Sequence, residues 1–252
     1  MNDTLLLIAF SFSAGLIDAA VGGGGLIQVP GLFATLPNQL PATLLGTNKF
    51  SSVFGTALAG WRYARKVDMA WRLVIATAIT AFVFSLGGAE IAGRVPKDWM
   101  RPLVLGLLVV MLLYTMHKKD FGALHRPQHI GRKEMLIALS IGGAIGFYDG
   151  FFGPGTGSFL IFLFIRFFGF DFLRATSAAK IVNLATNLAA LIIFMPAGHV
   201  LYQFAIPMAV ANMGGAMVGT RLALKGGTRI IRLLFIGLVV ALIIKLTFDT
   251  FR

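Results

Sequence analysis

Two lysines lie inside apolar stretches of the sequence, where a charged side chain is unexpected. Lys49 lies in "TNKFSSVFGTALAG" and Lys180 in "AAKIVNLATNLAA". If these stretches cross a membrane, a charge at such depth is costly, so each lysine is predicted to have a function, with an anion as its partner. Two other interpretations stay open. The side chain reaches the membrane surface, or it forms a buried ion pair with Asp18 or Asp149 that serves packing only.

Polar side chains accompany both lysines at helical spacing. Residues three, four and seven positions apart share one helix face, so each lysine is predicted to belong to a polar stripe. The first stripe is Lys49, Ser52 and Thr56, with Asn48 and Ser51 alongside, and the second is Lys180, Asn183 and Asn187. Two such stripes are expected to face each other at the centre of the protein. The hydroxyl and amide groups predicted to supply neutral donors to an anion are those of Gln28, Thr156, Ser158, Asn183 and Asn187.

Two glycine-rich stretches predict deliberate helix breaks. They are "DAAVGGGGLIQVP" at residues 18–30 and "DGFFGPGTGSFLI" at residues 149–161. A glycine within a helix costs roughly 1 kcal/mol relative to alanine, so such clusters end a helix. A helix that restarts after the break directs free N–H groups and a positive dipole end towards it. The predicted backbone contacts to an anion are Gly23, Gly24, Gly25, Gly155, Thr156 and Gly157. Close helix packing at the glycines is the alternative.

An acid precedes each break by four residues. Asp18 and Asp149 are predicted to cap the distorted backbone, and this role is slightly favoured. Pairing with a lysine and uptake of a proton are the other two roles considered.

The composition predicts an all-α polytopic membrane protein. Of its 252 residues, 57% are hydrophobic and 13% charged, with a mean hydropathy of +0.83, whereas soluble domains carry about 25% charged residues. Apolar runs near the roughly 20 residues that span a bilayer recur along the chain. The net charge of +12 is assigned to loops beside the membrane rather than to nucleic acid. The absence of cysteine excludes disulfides and thiolate sites.

The sequence contains an internal repeat with an offset of 131 residues. Five pairs illustrate it: Gly15 with Gly146, Asp18 with Asp149, Lys49 with Lys180, Gly88 with Gly219 and Arg101 with Arg232. The predicted organisation is repeat 1 at residues 1–116, a basic cytoplasmic linker at 117–132 and repeat 2 at 133–252. Repeat 1 contains apolar elements at 4–20, 25–36, 42–63, 70–92 and 99–116. Repeat 2 contains them at 133–150, 155–168, 173–195, 201–223 and 228–248.

The second element of each repeat is too short to span a bilayer. Residues 25–36 cover about 18 Å as a helix, against a hydrocarbon core of about 30 Å. The first two elements are therefore predicted to form a broken, half-spanning hairpin. An odd number of crossings per repeat inverts the second copy. With the N-terminus outside, fifteen basic residues fall on the inner side and five on the outer side, as the positive-inside rule expects.

The paired motifs resemble the sulfite exporter TauE/SafE family. The resemblance is carried by "GLIDAAVGGGGLIQVPGL" with "ATLLGTNKFSSVFGTALAGWRY", and by "GFYDGFFGPGTGSF" with "RATSAAKIVNLATNLAA". It implies a multi-pass permease of the bacterial cytoplasmic membrane that moves sulfite or organosulfonates. Together with the repeat, it favours a secondary transporter with alternating access around a midplane anion site. An anion channel and a non-transporting scaffold are the alternatives.

Other expectations concern partners and variants. No enzymatic activity, cofactor or metal is predicted, and the protein is expected in the lipid bilayer as a monomer or homodimer. Leucine at Gly24 or Gly155 is expected to abolish transport while leaving the protein folded.

Overall fold

The computed structural model describes residues 3–95 and 131–225, together with Pro102 and Gly106. These ranges form eight helices: α1 Asp3–Val21, α2 Gly25–Thr35, α3 Pro41–Ala64, α4 Trp71–Ala92, α5 Arg132–Phe151, α6 Thr156–Phe168, α7 Phe172–Phe194 and α8 Tyr202–Leu224. Their bounds agree with eight of the predicted elements to within about two residues. The predicted elements at 99–116 and 228–248, and nearly all of the linker at 117–132, lie outside the described residues.

The chain breaks its helical path at both glycine-rich stretches, as predicted. The first break, residues 22–24, separates α1 from α2, and the second break, residues 152–155, separates α5 from α6. Positive φ angles occur at Gly22 (76°) and Gly23 (92°) in the first break. They occur at Gly153 (92°) and Gly155 (85°) in the second. Glycine adopts this backbone region without a steric penalty, which explains why the breaks are built from it.

The helices after the breaks are short. α2 has 11 residues and α6 has 13, which correspond to about 16 and 20 Å at 1.5 Å per residue. In contrast, α1, α4 and α7 are long and apolar enough to cross a membrane. The structure is therefore all-helical with candidate membrane spans, while the half-spanning placement of α2 and α6 stays a prediction.

Glycines allow two helix pairs to pack closely. α1 packs on α8 and α4 packs on α5. A Cβ on Gly15 would lie only 3.0 Å from the Cα of Asn212, and Gly146 lies equally tightly against the backbone of Ala81. These two contacts are related by the 131-residue offset. Such reciprocity is what a duplicated unit would produce, while the opposite orientation of the two copies in a membrane stays a prediction.

Large apolar side chains face outwards on the same two helix pairs. Ile75 and Ile79 on α4 are 48% and 63% exposed, and the matching Ile206 and Val210 on α8 are 55% and 68% exposed. An apolar surface of this kind suits contact with lipid. The described helices therefore enclose a polar centre within an apolar exterior.

Candidate functional site

The two breaks meet at the centre of the described structure, around a small cavity. A Cβ on Gly25 would lie 3.2 Å from the Cα of Pro154, and one on Gly157 would lie 3.2 Å from the Cα of Gly22. The volume of the cavity that the centres of water molecules can occupy is about 40 Å³. That space holds on the order of three waters, or one anion of similar size.

The structure brings nearly all of the predicted site residues to this cavity. Thirteen of them line it: Asp18, Gly23, Gly24, Gly25, Asn48, Lys49, Ser52, Asp149, Gly155, Thr156, Gly157, Asn183 and Asn187. Thr56 and Gln28, also predicted from the sequence, line it as well, together with Ala14, Gly153 and Asn212. The predicted residues that do not line the cavity are Lys180, Ser51 and Ser158. The geometry assembles the set, and its role in ligand binding stays a prediction.

Lys49 forms a buried ion pair with Asp149. Its Nζ lies 2.7 Å from Oδ2 of Asp149, and the two side chains are 3% and 5% exposed. A lysine that reached the membrane surface would expose its ammonium group, so that interpretation is wrong for Lys49. The partner of Lys49 is an aspartate, as the ion-pair interpretation predicts, and both residues line the cavity.

Lys180 forms the matching ion pair with Asp18. Its Nζ lies 2.7 Å from Oδ2 of Asp18, and the side chains are 0% and 22% exposed. The other carboxylate oxygen of Asp18 accepts a hydrogen bond from the backbone N–H of Gly24 at 3.3 Å. Asp18 thus both pairs with a lysine and caps the start of α2. The surface-reaching interpretation is wrong for Lys180 as well.

The two ion pairs cross between the repeats and cancel in charge. Each lysine binds the aspartate of the other copy, and the 131-residue offset converts one pair into the other. Among the described residues, the charged groups at the cavity are therefore two cations and two anions. Neither lysine is a free cation waiting for an anion, which corrects the simplest form of the prediction for Lys49 and Lys180.

Amide groups form a hydrogen-bonded network on one wall of the cavity. The buried Gln28 bonds to Ser51, and its Oε1 accepts a bond from Nδ2 of Asn212 at 3.2 Å. Asn212 also donates to the carbonyl of Ser11 at 3.1 Å. Gln28 is among the neutral donors predicted from the sequence, whereas Asn212 was missed. The available signal for Asn212 was a polar side chain inside the apolar stretch "AVANMGG".

Two asparagines at the cavity have unsatisfied side-chain atoms. The Oδ1 atoms of Asn48 and Asn183 are buried and have no hydrogen-bond partner, and both residues line the cavity. Buried polar groups are nearly always paired with protein or water. An amide can present an acceptor or, after rotation of its plane, two donors. These two side chains are therefore available to water or a ligand in the cavity.

Side-chain hydrogen bonds hold the second break in place. The hydroxyl of Tyr148 donates to the carbonyl of Pro154 at 2.6 Å, and Oγ1 of Thr156 donates to the carbonyl of Gly153 at 2.7 Å. Gly153 was also missed at the site, although it matches Gly22 in the repeat. A Cβ on Gly153 would lie 2.9 Å from Nζ of Lys49, so the absence of a side chain makes room for the ion pair.

The expectation for leucine at Gly24 needs correction. A Cβ on Gly24 would lie 2.5 Å from both the carbonyl oxygen of Ala14 and the Cβ of Asp18. Because one of these contacts is backbone, leucine there would displace α1 and disturb the fold. Gly155 has a φ of 85°, where a residue with a side chain is strained by about 1–2 kcal/mol. Neither variant isolates ligand binding from folding.

Comparison with known proteins gives a consistent result over nearly the whole chain. The model of the family described as "Sulfite exporter TauE/SafE" matches residues 7–246. A probable membrane transporter protein, ORF9, from Sinorhizobium sp is 36% identical over 96% of this chain and 92% of its own length. The probable membrane transporter protein YfcA of Escherichia coli strain K12 is 32% identical over 97% of this chain and 90% of its own. A probable membrane transporter protein of Haemophilus influenzae is 30% identical over 97% and 94%. No solved structure gives a significant match.

Proposed function

The chain belongs to the sulfite exporter TauE/SafE family, and we propose that it is a secondary transporter of small sulfur-containing anions in the bacterial cytoplasmic membrane. Relatives named as probable membrane transporters support transport. The family description favours sulfite as the first substrate to test, with organosulfonates next. Several apolar helices long enough to cross a bilayer support a multi-pass membrane location.

The observation that carries this proposal is the meeting of two helix starts at one polar cavity. Gly25 lies in the first turn of α2, and Gly157 lies in the first turn of α6. Both residues line the cavity. The first N–H groups of a helix have no partner within that helix, and each helix start carries about half a positive charge. Two such ends supply positive potential at one place, which favours an anion.

Side chains complete the proposed anion site. The unpartnered amides of Asn48 and Asn183 lie at the cavity, together with Ser52, Asn187 and the Lys49 ammonium group. Neutral amide donors suit an oxyanion because they distribute hydrogen bonds over several oxygens without requiring a full counter-charge. The small volume favours sulfite over larger organosulfonates in the conformation described.

We infer that transport occurs by alternating access. The broken helices of both copies meet at a central site, which is the arrangement used by transporters built from inverted repeats. The crossed ion pairs join each break to the other copy. Rocking of one copy against the other would then expose the site to each side in turn.

Sulfite flux in proteoliposomes tests the proposal against an anion channel and a scaffold. We expect saturable uptake of radiolabelled sulfite that excess unlabelled sulfite blocks and chloride does not. Flux proportional to voltage without saturation would indicate a channel. Absence of sulfite and methanesulfonate flux would favour a scaffold.

A pair of variants tests the site itself. Asn48→Leu combined with Asn183→Leu removes both unpartnered amides at similar volume, and we expect sulfite uptake to fall at least tenfold. The matched control is Glu90→Gln, because Glu90 is half exposed and bonds only to the exposed Arg94 among the described residues. Equal sulfite uptake by the double variant and the control would show that the two asparagines do not contribute to the site.

A further inference from the structure

The charge balance of the cavity limits what can bind there. Asp18, Lys49, Asp149 and Lys180 are the charged residues at the site within the described ranges, and their charges sum to zero. The charged side chains therefore supply no net charge to a monoanion, which would be offset only by the partial positive charges of the two helix starts, and a proton alone would leave one excess positive charge. Uncompensated buried charge is strongly unfavourable. An anion and a proton that bind together preserve the balance.

The two aspartates differ in their access to the cavity. Asp149 is 5% exposed and its partner Lys49 is 3% exposed. Asp18 is 22% exposed while its partner Lys180 is fully buried. Both carboxylates border the cavity, and Asp18 is the more exposed of the two. A proton from water in the cavity therefore reaches Asp18 more readily than Asp149.

On these grounds we propose that Asp18 is the coupling carboxylate of the transporter: one proton binds Asp18 as one monoanion enters the cavity, and both leave on the opposite side. This inference rests on the proposed function as an anion transporter. The proton is transferred from solvent to a carboxylate oxygen of Asp18, and no other bond forms or breaks. The buried ammonium of Lys180 then loses the negative charge of its partner, and the anion that enters the cavity restores the charge balance of the site.

Protonation of Asp18 would also loosen the first break. The carboxylate of Asp18 holds the N–H of Gly24 through a single bond of 3.3 Å, and a neutral carboxyl accepts such a bond less strongly. The adjacent Gly22 and Gly23 carry no side chain that could hold the backbone. The N–H of Gly24 would thus be freed for the anion when the proton arrives.

The ionisable groups around Asp18 come from several helices. Lys180 approaches from α7, and Tyr63 on α3 lies close enough to interact electrostatically with Asp18. The Tyr63 hydroxyl donates to the carbonyl of Ala19 at 2.6 Å. Lys49 on α3 and Asp149 on α5 border the same cavity. The tyrosine hydroxyl is already engaged and the Lys49–Asp149 pair is almost wholly buried, which leaves Asp18 and Lys180 as the pair that responds.

Sulfite-induced infrared difference spectroscopy on the reconstituted full chain tests this inference. Exchange of chloride for sulfite at constant neutral pH should produce the C=O band of a protonated carboxyl group in the parent. The band should be absent in Asp18→Asn and retained in Glu90→Gln. A band that persists in Asp18→Asn, or no band in a parent that transports sulfite, would overturn the assignment.

A charge-balanced variant guards against simple misfolding. Asp18→Asn alone leaves Lys180 buried without a counter-charge, so its thermal stability should become sulfite-dependent. Asp18→Asn combined with Lys180→Gln removes both charges and should fold without sulfite. We expect this double variant to show neither the carboxyl band nor sulfite accumulation. Sulfite accumulation at the parent's rate in the double variant would contradict the inference.

Flux measurements separate failure of this inference from failure of the proposed function. When the pH outside the liposomes is one unit lower than inside, the parent should accumulate sulfite about tenfold inside. One pH unit and a tenfold concentration ratio each correspond to 1.4 kcal/mol. Because sulfite also binds protons in solution, Asp18→Asn serves as the reference, and its sulfite accumulation should be reduced to that of empty liposomes. If the parent transports sulfite and Asp18→Asn accumulates it equally well, the coupling alone is refuted. Absence of sulfite and methanesulfonate flux in the parent refutes the transporter proposal and the coupling with it.

Discussion

The two breaks occupy equivalent places in the repeat but are held with different firmness. In the second break, hydroxyl groups of Tyr148 and Thr156 bind backbone carbonyls at 2.6 and 2.7 Å. In the first break, the described side-chain restraint is the longer bond from Gly24 to Asp18, at 3.3 Å. The ion pair at the second break is almost wholly buried, whereas Asp18 at the first is partly open.

The surroundings of the breaks differ in the same sense. Gln28 on α2 joins a polar network, while the matching residue on α6, Phe159, packs its ring edge-on against Tyr148 at 5.7 Å. An aromatic pair thus lies beside the second break, and a network of side-chain hydrogen bonds lies beside the first. The second break is thus held firmly, while the first has fewer and longer restraints among the described residues.

The largest expected effect comes from removing a partner of the more deeply buried ion pair. Lys49→Ala leaves Asp149 buried and unpaired, which costs about 3–5 kcal/mol. Lys180→Ala leaves Asp18 partly exposed and still bonded to Gly24, so its loss should be smaller. Thermal melting in detergent checks the ranking. If Lys180→Ala melts at the lower temperature, the first break is the more firmly held one. The double variant Lys49→Ala with Asp149→Ala should regain much of the loss.

A second variant should make the second break resemble the first. Tyr148→Phe removes the hydroxyl bound to the carbonyl of Pro154 and leaves that carbonyl without its partner, at a cost of about 1–3 kcal/mol. We expect faster backbone hydrogen exchange around residues 152–155 and little change around residues 22–24. Uniformly faster exchange along the whole chain would indicate general destabilisation instead of a local restraint.

A third variant acts where the breaks touch. Gly25→Ala places a methyl group 3.2 Å from the Cα of Pro154, so the breaks must separate by a few tenths of an ångström. A cost of about 1 kcal/mol for overpacking should weaken sulfite binding roughly fivefold to tenfold. Gly87→Ala is the control, because a Cβ there meets nothing within 4 Å. Sulfite-dependent shifts in melting temperature measure both, and equal shifts would mean that contact between the breaks does not tune the site.

The smallest expected effect comes from making the two stripes alike. Asn183 matches Ser52 in the repeat, so Asn183→Ser gives α7 the residue of α3. Because Oδ1 of Asn183 has no partner in the described structure, stability should change by less than about 0.5 kcal/mol. We expect a severalfold weaker apparent affinity for sulfite in transport assays. An unchanged affinity would show that this amide faces water and not the anion.

The sequence predicted the helices and the breaks, and it offered an ion pair of each lysine with Asp18 or Asp149 as one alternative, but it did not decide which aspartate pairs with which lysine. Glycine clusters reveal where a helix must end, and periodicity reveals which residues share a face, because both are local properties. The pairing of Lys49 with Asp149 joins residues 100 positions apart and depends on which helices pack together. The 131-residue offset gives a further indication, because it matches Asp18 with Asp149 and Lys49 with Lys180. Two acids and two lysines in matched positions can pair across the two halves of the sequence. The Gln28–Asn212 contact has no repeat equivalent and could not be found in that way.

The crossed ion pairs have a consequence for how the protein is made. Lys49 leaves the ribosome 100 residues before Asp149, and Asp18 precedes Lys180 by 162. At synthesis rates of about 5–20 residues per second, each early charge waits roughly five seconds or more for its partner. During this interval the charges of Asp18 and Lys49 must be kept out of the lipid. Either they lie beside the translocation machinery, or they pair with each other. The two ion pairs can form only after Asp149 and Lys180 have been synthesised, so the site cannot assemble before most of the chain has been made.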